Sequence, residues 1–147
     1  MTSSADIRLS IEEIKLIALF GDITGADVRD CIVDAEGERF IFVVGPGHLG
    51  LAIGPRGATI KRARSIMKRD IDVVEAADTP EGFVRNALAP AQVTAVKVKE
   101  EGQGRRVALV TVKSEHRGRV IGRNGRNIER ARLLAKRHHG IDSIVIV

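Results

Sequence analysis

Two stretches of this chain align with each other without a gap. Residues 48–64 read HLGLAIGPRGATIKRAR, and residues 116–132 read HRGRVIGRNGRNIERAR. The identical positions include a pair of glycines and an isoleucine at one constant spacing: Gly54/Gly122, Gly57/Gly125 and Ile60/Ile128. Such self-similarity indicates that one supersecondary unit occurs twice. Any fold proposed for the chain must therefore give both copies equivalent surroundings.

The segment before the first copy predicts one helix and two strands. Ser10 and Glu13 have the spacing of a capping box. The helix that it opens should fade at Gly21, and its apolar positions are Ile11, Ile14, Ile17 and Ala18. Residues 28–33 and 39–43 then resemble strands joined by a turn at residues 36–38. The second strand is apolar on both faces, which is typical of a central strand.

The segment before the second copy repeats this order. Thr79 and Pro80 predict the cap and first turn of a short helix that Pro90 stops. Strands are expected at residues 93–99 and 105–112. Each glycine pair is followed by a helix and a closing strand, at residues 71–74 or 143–147. We therefore expect an α+β protein of two tandem domains, residues 1–76 with the N-terminal helix and residues 77–147.

The glycine pairs have the chemistry of an anion-binding turn. Glycine adopts positive φ without strain and lets a phosphate group come close to the backbone. The helix that begins after the turn adds a partly positive N-terminus. The residues expected to face solvent and bind phosphate are Pro55 and Arg56 in the first copy, and Arg123, Asn124 and Arg126 in the second. The second copy should bind more strongly, because Pro55 stiffens the first loop and carries no charge.

Charge is distributed unevenly along the chain. Residues 1–50 carry four Lys/Arg against nine Asp/Glu, whereas residues 101–147 carry eleven against four. A basic region around the glycines favours a polyanionic partner, nucleic acid first. A merely solvated basic surface is the alternative. The helices after the two loops contribute further basic residues, of which Lys61, Arg64 and Arg130 are predicted to take part in binding.

The glycine motifs resemble the core signature of KH domains, through AIGPRGATIK at residues 52–61 and VIGRNGRNIERA at residues 120–131. The element order resembles the type II form, which implies two three-stranded sheets, each covered on one face by helices. The tandem arrangement is similar to the NusA family of transcription termination and antitermination proteins, in its compact archaeal form. The resemblance implies that each loop clamps about four nucleotides of single-stranded RNA by their backbone.

The resemblance also implies where bases and partners would bind. Bases would lie in an apolar groove beside each loop, for which the candidate residues are Ile53, Ile60, Ile121 and Ile128, although isoleucines at this spacing more often belong to the core. The RNA would be a nascent transcript or ribosomal RNA, and a protein partner in the transcription machinery, such as RNA polymerase, is expected. A ribosome-associated or RNA-processing KH protein is the alternative within the same class.

Other classes of protein fit the composition poorly. The chain has no Trp or Tyr and four Phe, which argues against modules that stack bases on aromatic platforms. The single cysteine, Cys31, excludes an intramolecular disulfide and a multi-cysteine zinc site, and is expected to be buried in a strand. No apolar run reaches the roughly 18 residues of a membrane span, and residues 1–6 lack the pattern of a secretory signal. We therefore expect a cytoplasmic protein without a membrane segment.

One motif is compatible with an enzyme. Gly45, Gly47 and Gly50 follow a strand, and Glu75 lies where a ribose-binding acid of a dinucleotide site would fall. A nucleotide-dependent enzyme is the alternative from another class, but the second copy retains only the last of these glycines. His48 and His116 occupy equivalent positions and are interpreted as helix-start residues. No catalytic constellation, metal site or cofactor is predicted.

Overall fold

The computed structural model describes residues 7–34 and 38–147. The sequence predictions for residues 1–6 and for residues 36–37 of the turn lie outside these ranges, whereas Glu38, the last residue of that turn, lies within them. The described chain forms two compact units, which hold Arg8–Ala76 and Ala77–Val147. We call them the first unit and the second unit.

Both units have the same order of elements. The first unit contains α1 (Ile11–Thr24), β1 (Val28–Val33), β2 (Arg39–Val44), α2 (Leu49–Ile53), α3 (Ala58–Met67) and β3 (Asp70–Glu75). The second unit contains α4 (Pro80–Leu88), β4 (Ala95–Glu101), β5 (Arg105–Thr111), α5 (Arg117–Ile121), α6 (Arg126–His139) and β6 (Ser143–Ile146). One short 3-10 turn joins α2 to α3, and another joins α5 to α6, at Pro55–Gly57 and Arg123–Gly125.

Each unit contains one three-stranded sheet, with the strand orders β1-β2-β3 and β4-β5-β6. The middle strand pairs antiparallel with the strand before it and parallel with the last strand. Parallel neighbours cannot be joined by a tight turn, so a longer crossover has to connect them. The glycine loop and its two helices form this crossover in both units. The predicted α+β class, with helices on the sheets, is confirmed.

The capping box that opens α1 is confirmed. The Glu13 N–H donates to Ser10 Oγ at 3.1 Å, and the Ser10 N–H donates to Glu13 Oε1 at 2.8 Å. The predicted end of the helix is wrong, because α1 continues past Gly21 to Thr24 and is capped by Gly25, whose φ is 75°. One glycine inside a helix costs only about 1 kcal/mol. Burial of the neighbouring Phe20 side chain outweighs that cost.

The apolar face of α1 differs in part from the prediction. Ile11 is 74% exposed and Ile14 is 52% exposed. Of the predicted positions, Ile17 packs against the core, whereas Ala18 is exposed. Leu16 and the fully buried Phe20 supply further core contacts. The helix therefore packs from Leu16 onward, and Ile11 and Ile14 face solvent.

The core of the first unit lies between the sheet and the helices. Every residue of β2 is buried, which confirms the predicted central strand. The rings of Phe20 and Phe42 stack with centroids 4.1 Å apart. Cys31 pairs with Phe42 in the sheet register and is buried, as predicted. These contacts fix α1 to the sheet, and α3 adds Ile60 and Ala63 to the same core.

The short first helix of the second unit is also confirmed. Thr79 Oγ1 accepts the Gly82 N–H at 3.1 Å, and Pro80 occupies the first turn of α4. The helix ends at Leu88, before Pro90, as predicted. Its buried residues are Phe83, Val84, Ala87 and Leu88. The helix therefore presents a continuous apolar face, against which α6 packs.

Candidate nucleic-acid interface

The first glycine loop turns the chain sharply between α2 and α3. Gly54 has φ 75° and ψ 170°, Arg56 has φ 56°, and Gly57 has φ 74°. The Gly54 N–H donates to the Gly50 carbonyl at 2.8 Å, which closes α2, and the Gly57 N–H donates to the Gly54 carbonyl at 3.0 Å. These bonds hold the turn so that the residues between the glycines point outward.

The second loop has nearly the same backbone. Gly122 has φ 79° and ψ 171°, Asn124 has φ 57°, and Gly125 has φ 75°. The side-chain amide of Asn127 donates from Nδ2 to the Arg119 carbonyl at 2.8 Å, and so ties the start of α6 to α5. Two different sequences therefore reach one loop geometry.

The first glycine of each pair has no room for a side chain. A Cβ on Gly54 would stand 2.8 Å from the Thr59 backbone nitrogen, and one on Gly122 would stand 2.9 Å from the Asn127 backbone nitrogen. Contacts this short with backbone atoms cannot be relieved by a side-chain rotation. The φ and ψ of these two residues also lie in a region that is almost restricted to glycine. The following helix can therefore close on the turn only because glycine stands there.

The residues between the glycines are accessible to a ligand. Pro55 and Arg56 are exposed in the first loop, and Arg123 and Asn124 are exposed in the second. Just behind the loops, the predicted residues Lys61 and Arg126 are exposed as well. The structure thus brings these residues together on the accessible side of each turn, where a phosphate group can approach the backbone.

The four predicted groove isoleucines fall into two groups. Ile60 and Ile128 are each only 5% exposed and belong to the core. Ile53 is half-buried, and Ile121 is 43% exposed. Burial of Ile60 and Ile128 favours packing over contact with a base. Ile53 and Ile121, at the ends of the short helices before the loops, remain accessible.

Arg130 does not lie on the solvent-facing side of α6, contrary to its predicted position. It is 7% exposed. Its Nη2 donates to the carbonyls of Ala87 at 2.9 Å and Ala89 at 3.1 Å, and its Nε donates to Ala87 at 3.2 Å. Arg130 therefore caps the C-terminal carbonyls of α4. It lies one helical turn before the buried Leu134, and this explains why a charged residue faces the core.

Arg64 is partly exposed but also forms contacts within the first unit. Its Nη2 donates to the Ile71 carbonyl at 2.9 Å, and its Nε lies 3.5 Å from Asp70 Oδ1. The side chain keeps 43% of its surface exposed. These contacts tie α3 to β3, so Arg64 has a structural role that its position on a basic helix did not reveal.

Two exposed arginines beside the second loop were missed by the sequence analysis. Arg117 and Arg119 lie on α5 and are both exposed. Their counterparts in the repeat are Leu49 and Leu51, and this difference between the copies is the signal that could have identified them. They add charge next to Gly122 without belonging to the glycine motif.

The glycine turn at Gly45 and Gly47 is lined by carboxylates. The Gly47 N–H donates to Glu75 Oε2 at 3.0 Å, and a Cβ on Gly45 would stand 2.9 Å from Asp27 Oδ2. Asp27 is paired with Arg29 there, at 3.1 Å, whereas Glu75 occupies the Gly47 N–H that a pyrophosphate group would need. Glu75 thus holds the turn, and this contact argues against the dinucleotide site considered as an alternative.

The two equivalent histidines stand at helix starts. His48 directly precedes α2, and His116 directly precedes α5. His48 also accepts the Asp27 N–H at Nδ1, at 2.9 Å. These positions match the interpretation of the pair as helix-start residues.

Titratable groups with a shifted pKa lie at the end of α6 that is remote from the loop. Burial lowers the pKa of His139, and the neighbouring charge of His138 lowers it further. The pKa of Asp142 is lowered by hydrogen bonds from the Arg106 N–H at 2.8 Å and from Lys136 Nζ at 2.5 Å. These groups belong to contacts that close the second unit around β6.

Among residues 7–34 and 38–147, no group of three or more His, Cys, Asp or Glu is arranged to hold a metal ion. Within the same ranges, no helix is both long and apolar enough to cross a membrane.

Comparison with protein families gives two matches. A family model for the KH domain matches residues 16–103. A model for the NusA-like second KH domain matches residues 80–144. Together the two models cover most of the chain, including both glycine loops.

Similar proteins cover nearly the whole chain. A probable transcription termination protein NusA from Halococcus morrhuae is 43% identical over 138 residues, which are 94% of this chain and 96% of that protein. Its counterpart from Methanocaldococcus jannaschii is 36% identical over 143 residues, 97% of this chain and 76% of that protein. The crystal structure of APE1850 is similar, with a TM-score of 0.82 and 34% identity over 95% of this chain and all of that one.

Proposed function

The chain belongs to the NusA family of tandem KH-domain proteins, and on that premise we propose that it is a single-stranded RNA-binding transcription factor. It acts on elongation or termination, and its two Gly-x-x-Gly loops clamp the RNA backbone. The family predicted from the glycine motifs is confirmed by these relatives. Their name as probable transcription termination proteins supports the process in which we place this chain.

The observation that carries the RNA-binding part of the proposal is the shared geometry of the two loops. In both, a glycine without room for a Cβ precedes two exposed residues and a second glycine with positive φ. KH domains use such a loop to clamp about four nucleotides by their backbone. A phosphate can approach the turn from the side of the exposed residues between the glycines. Arg56, Arg123 and Arg126 then supply positive charge around it.

The bases must be recognised without aromatic stacking. All four phenylalanines of the chain, Phe20, Phe40, Phe42 and Phe83, are buried, and Trp and Tyr are absent. The accessible apolar side chains next to the loops are those of Ile53 and Ile121. Base contacts in this protein therefore use aliphatic surface and hydrogen bonds, which sets it apart from RRM and OB-fold proteins.

A protein partner in the transcription machinery, such as RNA polymerase, completes the proposal. RNA binding alone would leave the protein free to follow any exposed transcript, whereas a termination factor has to act where RNA is being made. The acidic first 50 residues, with four Lys/Arg against nine Asp/Glu, repel RNA and are the part of the sequence best suited to a protein partner.

The test of the RNA site places negative charge in the second loop. The double variant Arg123→Asp with Asn124→Asp keeps both glycines, and aspartate tolerates the positive φ at position 124 better than most residues. RNA affinity, measured by fluorescence anisotropy, should fall while the melting temperature changes little. Lys99→Glu with Gln92→Glu is the control, because it changes the net charge equally at exposed positions outside the loop. Unchanged affinity of the loop variant would remove the second loop from the RNA site.

The test of the cellular role asks which RNA the protein contacts. Crosslinking in cells should recover nascent transcripts, and RNA polymerase should co-purify with the protein. Crosslinks confined to ribosomal RNA would instead support the ribosome-associated alternative.

A further inference from the structure

The two loops share a backbone, but the second unit has an arginine at four positions where the first has an uncharged residue. The second unit has Arg117, Arg119, Arg123 and Arg126 where the first unit has Leu49, Leu51, Pro55 and Ala58. All four arginines are exposed, and Leu51 is 49% exposed in the first unit. The charge differs in the opposite sense at two further positions, where the first unit has Arg56 and Lys61 and the second has Asn124 and Glu129. What distinguishes the second unit is the short helix before its loop, because α5 carries arginines at two positions where α2 carries leucines.

Two of these arginines lie outside the glycine motif. Arg117 and Arg119 belong to α5, the short helix that leads directly into Gly122. The hydrogen bond from Asn127 Nδ2 to the Arg119 carbonyl, at 2.8 Å, fixes this part of α5 against the first turn of α6. The backbone that carries Arg119 is therefore held in a set position relative to the loop.

Within the described residues, the guanidinium groups of Arg117 and Arg119 have no carboxylate partner. Other basic side chains of the protein do: Arg39 Nη1 lies 2.8 Å from Asp72 Oδ2, and Lys136 Nζ lies 2.5 Å from Asp142 Oδ1. A guanidinium group without a carboxylate partner attracts an anion that comes within the screening length of about 8 Å. A guanidinium group also matches the geometry of a phosphate.

We propose that Arg117 and Arg119 contact RNA phosphates beyond the Gly-x-x-Gly motif, so that α5 extends the ionic contacts of the second loop to the helix before it. This inference rests on the proposed RNA-binding function. The corresponding helix of the first unit, with leucines at the two matching positions, makes no such ionic contacts.

The experiment compares two double variants that remove the same charge from the second unit. Arg117→Gln with Arg119→Gln removes the proposed contacts, and Lys97→Gln with Lys99→Gln removes two exposed charges of β4. Binding of a labelled single-stranded RNA of mixed sequence, about 12 nucleotides long, is measured against salt concentration. Loss of two phosphate contacts should make the log–log slope shallower by about 1.4. The Lys97/Lys99 variant should keep the wild-type slope.

Equal slopes for the two variants would overturn the inference, since net charge alone would then explain the effect. An unchanged slope in the Arg117/Arg119 variant would overturn it as well. The Arg123→Asp with Asn124→Asp variant separates this failure from failure of the proposed function. If that loop variant loses RNA binding while the Arg117/Arg119 variant does not, only the inference fails. Melting temperatures of all variants establish that each remains folded.

Discussion

The Arg130 guanidinium donates two hydrogen bonds to the Ala87 carbonyl, at 2.9 and 3.2 Å, in the interior of the second unit. Replacing Arg130 with methionine keeps the apolar stem but leaves the last carbonyls of α4 without this donor. A buried acceptor left unsatisfied costs about 1–3 kcal/mol. We expect Arg130→Met to lower the free energy of unfolding by about 2 kcal/mol, measured by urea denaturation.

Arg62 supplies the control for this prediction. It occupies the equivalent position in the repeat but is exposed, and the end of α1 is capped by Gly25. Arg62→Met should change stability by less than about 0.5 kcal/mol. Equal losses for the two variants would contradict the structural role of Arg130.

The two glycines of each pair should differ in their tolerance of alanine. Gly122→Ala places a Cβ 2.9 Å from the Asn127 nitrogen, whereas a Cβ on Gly125 would meet nothing closer than 3.7 Å. Gly125→Ala should cost about 1–2 kcal/mol for its positive φ alone, and Gly122→Ala should cost more. Thermal unfolding measures both variants. A larger loss for Gly125→Ala would show that the crowding at Gly122 is not what restricts that position.

RNA affinity should fall as salt concentration rises. Each phosphate neutralised by the protein releases counterions from a single strand, which gives a log–log slope of about −0.7 per contact. Anisotropy titrations over a series of salt concentrations measure this slope. A flat response would exclude an electrostatic clamp, because apolar contacts are nearly insensitive to salt over this range.

Stability should fall on acidification because of His139. Its pKa lies below the ordinary value of 6.5 in the folded protein, so the unfolded chain binds the proton more readily. The contribution of the neutral His139 to the free energy of unfolding is therefore fully present above about pH 6.5 and is lost as the pH falls below that value. Melting temperatures between about pH 7.5 and pH 5 should show this loss in the wild type and less of it in His139→Leu. An identical pH profile for the variant would assign the loss to another group.

A second loss is expected at lower pH from Asp142. Its pKa is lowered in the folded protein from the ordinary value of 3.8. The contribution of this carboxylate is present above about pH 4 and disappears as the pH falls further. Asp142→Asn should remove this component and leave the His139 component unchanged, which the same melting curves record.

The sequence repeat predicted most of the fold because each element carries a local signal. The capping box at Ser10, the proline at the start of α4 and the apolar run of β2 are determined by neighbouring residues, and all three are confirmed. The phase of α1 was predicted only in part. Which of its isoleucines are buried depends on where the helix meets the sheet, and periodicity alone does not contain that information.

The candidate site was predicted less completely than the fold. The glycine loops were found because their backbone geometry requires glycine. Arg130 was placed wrongly, because a buried arginine that caps another helix looks like any basic residue of an amphipathic helix. Arg117 and Arg119 were missed because the site was located from positions that are identical in the two copies. At these two positions the first copy has leucine instead.

The backbone at Arg56 and Asn124 is left-handed, with φ of 56° and 57°, before any ligand is bound. A residue other than glycine adopts this conformation at a cost of about 1–2 kcal/mol, which the folded protein already includes in its stability. The loops then have little conformational entropy left to lose when a ligand arrives. Association should accordingly be limited by diffusion and electrostatic steering, and the lifetime of each complex should decide the differences in affinity between RNA sequences.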